Sequence, residues 1–85
     1  MSSNLSSDAY IAFVDALAAV RRDAGVSQDE LARRLRKSQS YVSKGERRQR
    51  RIDVVEFIAM AEALGLNSAD LLERIRAGLP TPINI

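Results

Sequence analysis

Five times in 85 residues a Ser, Asn or Asp stands just before an apolar pattern of helical period, and no segment alternates with period two. That punctuation restricts the chain to short helices packed on one another, an all-α fold, because such a side chain accepts the backbone N–H groups that a helix start leaves open. Ser7 or Asp8 starts the first segment, whose stripe of Tyr10, Phe13, Val14, Leu17 and Val20 runs towards Gly25. Ser27-Gln-Asp-Glu30 and Asp53-Val-Val-Glu56 have the spacing of a capping box, in which cap side chain and carboxylate satisfy open N–H groups reciprocally. The first box opens a helix from Gln28 to about Arg36 that buries Leu31, Ala32 and Leu35. The second opens a helix running to Gly65 with Val54, Phe57, Ile58, Ala61 and Leu64 on its inner face. Between them Ser38 caps a helix from Gln39 to about Glu46 with Val42 inward, and Asn67 opens a fifth, ended by Gly78 as a C′ glycine.

These segments divide the chain into a flexible N-terminus over 1–7, one domain over 8–78, and a tail over 79–85 kept extended by Pro80 and Pro82. A chain of this size buries only about 60–65% of the surface its unfolded form exposes, so a second subunit is expected to add stability. Cysteine and histidine are both absent. Their absence removes disulfides, thiolate nucleophiles, imidazole bases and nearly every transition-metal site, so neither an enzyme nor a cofactor is expected. The adjacent acids Asp29 and Glu30 lie in a helix start, where capping accounts for them. The N-terminus has no basic start with an apolar core behind it, and no apolar run reaches the roughly 18 residues a membrane span requires. No membrane partner is expected, and the cytoplasm, at the nucleoid, is the expected location.

The net charge of +2 conceals a strong asymmetry. From Arg33 to Arg51 there are nine basic residues and one acid, a net of +8, while the remainder carries four basic residues against ten acids, a net of −6. Most charge runs are solvated faces. Here, however, like charges are concentrated where they only repel, and a polyanionic partner is the simpler account. Single-stranded nucleic acid calls for stacking aromatics near the patch, and Tyr41 alone is available.

The second and third helices are joined through little more than Lys37 and Ser38, with small Ala32 where two helices would cross closely. A short helix, a tight turn and a second helix with a polar N-terminal face is a helix-turn-helix, whose second helix fits the major groove of double-stranded DNA. Gln39, Ser40, Ser43 and Lys44 form its outward face, with Tyr41 at the flank. Gln pairs with adenine, Lys with guanine and Ser with either, so these four are the candidate base readers.

Gly25-Val-Ser-Gln28, Glu30-Leu-Ala32, Gln39-Ser-Tyr-Val-Ser-Lys44, Glu46-Arg47 and Val55-Glu-Phe57 recur here at family-like spacing between Leu17 and Leu64. On these residues the chain resembles the Cro-type, lambda-repressor-like helix-turn-helix family, also called the Xre family. The resemblance implies a compact five-helix DNA-binding domain, usually dimeric and often a repressor. It gives Gln28 a phosphate contact, Gln39, Ser40 and Lys44 base contacts, and Tyr41 and Ser43 phosphate or base edges. It also pairs Arg21 with Glu46 as an internal ion pair between the first helix and the end of the third. Arg47, Arg48, Arg50 and Arg51 fall where family loops lie against the sugar–phosphate backbone. With Arg36 and Lys37 in the turn, they make up the candidate phosphate contacts, for which the planar arginine fork is well suited. One of these arginines entering a narrow minor groove is the competing arrangement.

Three residues depart from the family pattern. Arg36 and Arg48 stand where glycine is common, and Gly45 stands where a buried side chain is usual. If position 36 needs a positive φ, an arginine there is strained by about 1–2 kcal/mol. Two paths are open at Gly45. Either it ends the recognition helix early in a left-handed conformation, which unsettles the Arg21–Glu46 pair, or the helix continues over a core defect.

One recognition helix reads few base pairs, so a two-fold homodimer on a palindromic operator is expected. Leu71, Leu72, Ile75 and Leu79 supply apolar surface on the fifth helix for that contact, shared with closing the core. With no effector domain in these residues, control is expected from concentration, cooperativity or a protein partner. An antitoxin, a restriction-system controller protein, or an interaction module that keeps the fold without reading DNA are the alternatives to a homodimeric repressor.

Overall fold

The computed structural model describes residues 7–85, and all regular structure among them is helical. The elements are α1 (Asp8–Asp23), α2 (Gln28–Leu35), α3 (Gln39–Glu46), α4 (Val54–Ala63) and α5 (Ser68–Ala77). The expected flexible N-terminus lies outside the described residues except for Ser7.

Every helix starts on the residue its sequence nominates. Ser7, Ser27, Ser38, Asp53 and Asn67 each accept the N–H three residues on through the side chain. In the two capping boxes, however, the return half is missing. Glu30 turns to Arg33 and Arg34, and Glu56 turns to Arg50, because an arginine fork holds a carboxylate more strongly than one backbone N–H does.

The first four helices also stop in one manner. Val26, Lys37, Gln49 and Leu66 each donate their N–H to the carbonyl five residues back, the 6→1 bond of a Schellman turn. Each turn passes through a left-handed residue: Gly25 (φ 73°), Arg36 (58°), Arg48 (60°) and Gly65 (76°). Two of these four turns therefore spend an arginine where glycine would be unstrained, at a cost of about 1–2 kcal/mol each. Gly78 behaves otherwise than expected: with φ −95° it is not left-handed, and α5 ends in an ordinary turn.

The core has two parts. Val14 and Leu17 from α1, Ile52 from the loop before α4, Phe57, Met60 and Ala61 from α4, and Leu71 and Ile75 from α5 form the larger. Val26, Leu31, Ala32 and Val42 form the smaller, which locks α2 against α3. Ala32 is 2% exposed at that crossing, where its small size lets the two helices approach. The face of α4 is rotated from the one its periodicity suggested. Met60 is buried, while Val54 is 73% and Ile58 38% exposed. Tyr10 ties the start of α1 to the loop before α4: its ring lies 5.9 Å from Phe13, and its hydroxyl accepts the Ile52 N–H at 3.0 Å.

Candidate nucleic-acid interface

The recognition helix is oriented from inside the protein by a chain of hydrogen bonds whose polarity is fixed at its first member. Arg21, at the end of α1, is 7% exposed and can only donate. Its Nη1 bonds the Val26 carbonyl at 2.8 Å, while Nε and Nη2 reach the Glu46 carboxylate at 2.6 and 3.0 Å. Glu46 can only accept, so Gln28 must present its amide nitrogen to it, at 2.8 Å. The Gln28 oxygen then faces outward and accepts from Gln39 Nε2 at 2.6 Å. Gln39 is left with its oxygen and one N–H free, an acceptor beside a donor, the pair that adenine demands. Burial pushes the Glu46 pKa up, yet the hydrogen bonds from Arg21 and Gln28 prevail and hold it below the ordinary carboxylate value of 4.5.

Gln39, Ser40 and Lys44 are exposed on α3, and Ser43 is half-buried beside them. Around this face the structure distributes the basic residues unequally. Arg36 and Lys37 lie exposed in the turn before α3, and Arg47 and Arg51 lie exposed after it, with Arg48 half-buried. The two left-handed arginines thus stand one at each end of the recognition helix. Gln28 supports Gln39 directly, a link that sequence reasoning missed although both residues had been picked out separately.

Arg50 and Tyr41 depart from the expected phosphate contacts. The Arg50 side chain is 22% exposed and pairs with Glu56 at 2.6 Å. Its Cζ lies 3.6 Å from the centre of the Tyr41 ring, whose other neighbour is the Lys37 ammonium at 5.2 Å. Burial raises the Tyr41 pKa, and the Glu56 carboxylate raises it further through its charge and a hydrogen bond. Both side chains are therefore committed to an internal cluster. Opposite charges at Arg50 and Glu56 were the available signal, but the capping-box reading had already claimed Glu56.

Gly45 follows the second expected path, a continuing helix, but without the expected core defect. Helix α3 continues through it to Glu46, so it does not end the helix early, and the Arg21–Glu46 contact is intact. Nor is a void left: a Cβ on Gly45 would meet Arg50 Nη2 at 3.1 Å and Ile52 Cδ1 at 3.5 Å.

Leu71 and Ile75, expected to be shared between the core and a partner subunit, are 1% and 4% exposed and taken up by the monomer core alone. Leu79 is half-buried against that core, and Leu72 alone of the four is freely exposed, at 52%. Among the described residues no cluster of metal-ligating side chains occurs, and no helix is long and apolar enough to cross a membrane.

Residues 17–71 match the helix-turn-helix family HTH_3. An XRE-family like protein from Pseudomonas syringae pv. tomato is 42% identical, with 84% of this chain and 87% of that one covered at a TM-score of 0.76. The clp gene regulator ClgR from Corynebacterium glutamicum is 31% identical, with 82% and 91% covered at a TM-score of 0.71. A second structure of ClgR is 33% identical, with 79% and 71% covered at a TM-score of 0.68. A search of curated protein sequences gives no significant match.

Proposed function

The chain belongs to the Xre-type helix-turn-helix family, as a DNA-binding transcription regulator and not an enzyme, and on that premise we propose that it is a homodimeric repressor of a palindromic operator. The single observation that carries the DNA-reading part is the relay Arg21–Glu46–Gln28–Gln39. It leaves one acceptor and one donor of Gln39 facing outward from the N-terminal end of α3. Ser40, Ser43 and Lys44 complete the base-reading face. Arg36, Lys37, Arg47, Arg48 and Arg51 bind phosphate on either side of it, holding register and supplying affinity without carrying sequence information. Gln28 has one amide N–H left over for the backbone phosphate at the entrance to the groove.

The dimer is supported by apolar surface that the monomer leaves open. Val54, Val55 and Ile58 on α4 and Leu72 on α5 are exposed, and in place of Leu71 and Ile75 these are the residues a partner subunit would cover. Two recognition helices then stand one DNA turn apart, about 34–36 Å. Such a protein represses by occupying the operator, and relief comes from dilution or from a protein partner competing for the same apolar residues.

Selection of sites from random duplex DNA, followed by titration at two salt concentrations, tests this. A palindrome with half-sites about one turn apart, and affinity falling with salt at about −0.9 per neutralised phosphate, is the expected result. Salt-sensitive binding without an enriched sequence would overturn it, since the basic residues would then bind while α3 reads nothing.

A further inference from the structure

Four arginines occupy the loop between α3 and α4, and Arg50 differs from the other three. Its Nε donates to the Tyr41 carbonyl at 2.9 Å and its Nη1 to the Arg51 carbonyl at 3.3 Å. The same Nη1 meets the Glu56 carboxylate at 2.6 Å. The flat face of the fork lies on Tyr41, and the remaining nitrogen fills the space where a Gly45 side chain would stand. Gly45 is buried in the last turn of α3. A glycine there weakens the helix through its own conformational freedom, and here that weakness makes room for a guanidinium. One side chain thereby touches the recognition helix, its own loop and the first turn of α4.

We propose that Arg50 is a positioning residue for the DNA-reading surface. Seated in the Gly45 notch, it fixes the path of residues 47–52 and so sets where Arg47, Arg48 and Arg51 stand relative to α3, without contacting DNA itself. The inference rests on the DNA-reading function proposed above. Every neighbour of the fork is fixed by the fold: Tyr41 by α3, Glu56 by its place three residues after Asp53, and Ile52 by its burial and its bond to Tyr10. A phosphate would have to draw Arg50 away from Glu56, leaving a 10% exposed carboxylate without its countercharge. Arg51, exposed and next in the chain, reaches solvent without that loss.

The test compares R50M, which keeps an apolar stem but removes the fork, with G45A, whose added methyl presses on Nη2, and with R51A as the phosphate reference. Two quantities are read in each: affinity for the selected duplex over a salt series, and amide exchange at Gln49 and Ile52 in the free protein, whose N–H groups bond Lys44 and Tyr10. Loss of Arg50 should weaken binding about tenfold, the scale of one charge-assisted hydrogen bond, at an unchanged salt slope. R51A should instead reduce the slope by about 0.9. Exchange at both amides should speed up in R50M and, to a smaller degree, in G45A, which remains folded should R50M not. A slope reduced by about 0.9 in R50M would make Arg50 a phosphate ligand and overturn the proposal. So would a lower melting temperature with affinity and local exchange at their original values, because that is a purely structural residue. If the unaltered protein selects no sequence, the DNA-reading function fails on its own, and the exchange data still decide whether Arg50 fixes the loop.

Discussion

Replacing Glu46 by Gln exchanges one oxygen for an NH₂ and removes the only acceptor-only group in the relay. The carboxylate receives three donors, two from Arg21 and one from Gln28. In E46Q one acceptor oxygen remains, and the new NH₂ must face either Arg21, which can only donate, or Gln28, whose amide would have to flip to accept from it. Arg21 keeps the Val26 carbonyl but loses its countercharge while nearly buried. Breaking a fully buried pair costs about 3–5 kcal/mol; with the Glu46 side chain 16% exposed, about 2–4 kcal/mol is expected. Against the roughly 4–13 kcal/mol available to a chain of this length, that is a large fraction, and it corresponds to a melting temperature lower by about 10–25 °C. Urea and thermal unfolding at neutral pH measure it. A loss under about 1 kcal/mol would refute the reasoning, since it would put the pair in the class of solvent-exposed bridges. The pH dependence supplies an internal check. Because the folded pKa of Glu46 lies below 4.5, its contribution is complete above that value and disappears as pH falls through the lower folded one. The two proteins should therefore converge in stability in acid. Convergence at neutral pH instead would mean that Glu46 is not ionised in the fold.

Other consequences are open to direct measurement. R36G and R48G should each raise stability by up to about 1 kcal/mol, the relief of a left-handed arginine less the added freedom of the unfolded glycine. Each should also lower the salt slope of DNA binding by about 0.9, and an unchanged slope would remove that arginine from the phosphate contacts. Q39A should relax selection at a single base pair by about 1–3 kcal/mol while other positions keep their preference, as read by competition among single-substituted duplexes. L72E should leave the monomer folded, because Leu72 is exposed, and should convert cooperative occupancy of two half-sites into independent binding. Cooperative binding that survives L72E would place the dimer contact elsewhere.

The helices were readable because their start signals are local: a Ser, Asp or Asn three residues before the N–H it accepts needs no tertiary partner. Left-handed stops were readable at Gly25 and Gly65 for the same reason, whereas at Arg36 and Arg48 only the family resemblance pointed to them, because backbone demand overrode residue preference there. The face of α4 was misjudged because Val54 and Ile58 fit an inward stripe by period alone, whereas the positions of α2 and α5 decide which side is covered. At the interface, residue types pointed to Gln39 and Gln28 singly. Their contact spans two helices and depends on a donor buried beneath them, a relation no spacing rule contains. Arg50 was grouped with its neighbours by their place in the family loop, and it separates from them only because Gly45, five residues and about 17 Å of extended chain away, comes back within reach of its side chain.

The relay that holds Gln39 also divides the reading face into fixed and exchangeable letters. Gln39 is tied to the frame behind it, because replacing it leaves the Gln28 oxygen without its donor. The side chains of Ser40, Ser43 and Lys44 take no part in the relay, the caps or the ion pairs, so replacing them changes what is read without removing a bond that holds the helix. On the proposed function, a library confined to those three codons, with Gln39 constant, is the economical route to a regulator that recognises a different DNA site. Descendants of this gene have the same freedom: they can drift to new sites one outward residue at a time while the frame behind the helix stays as it is.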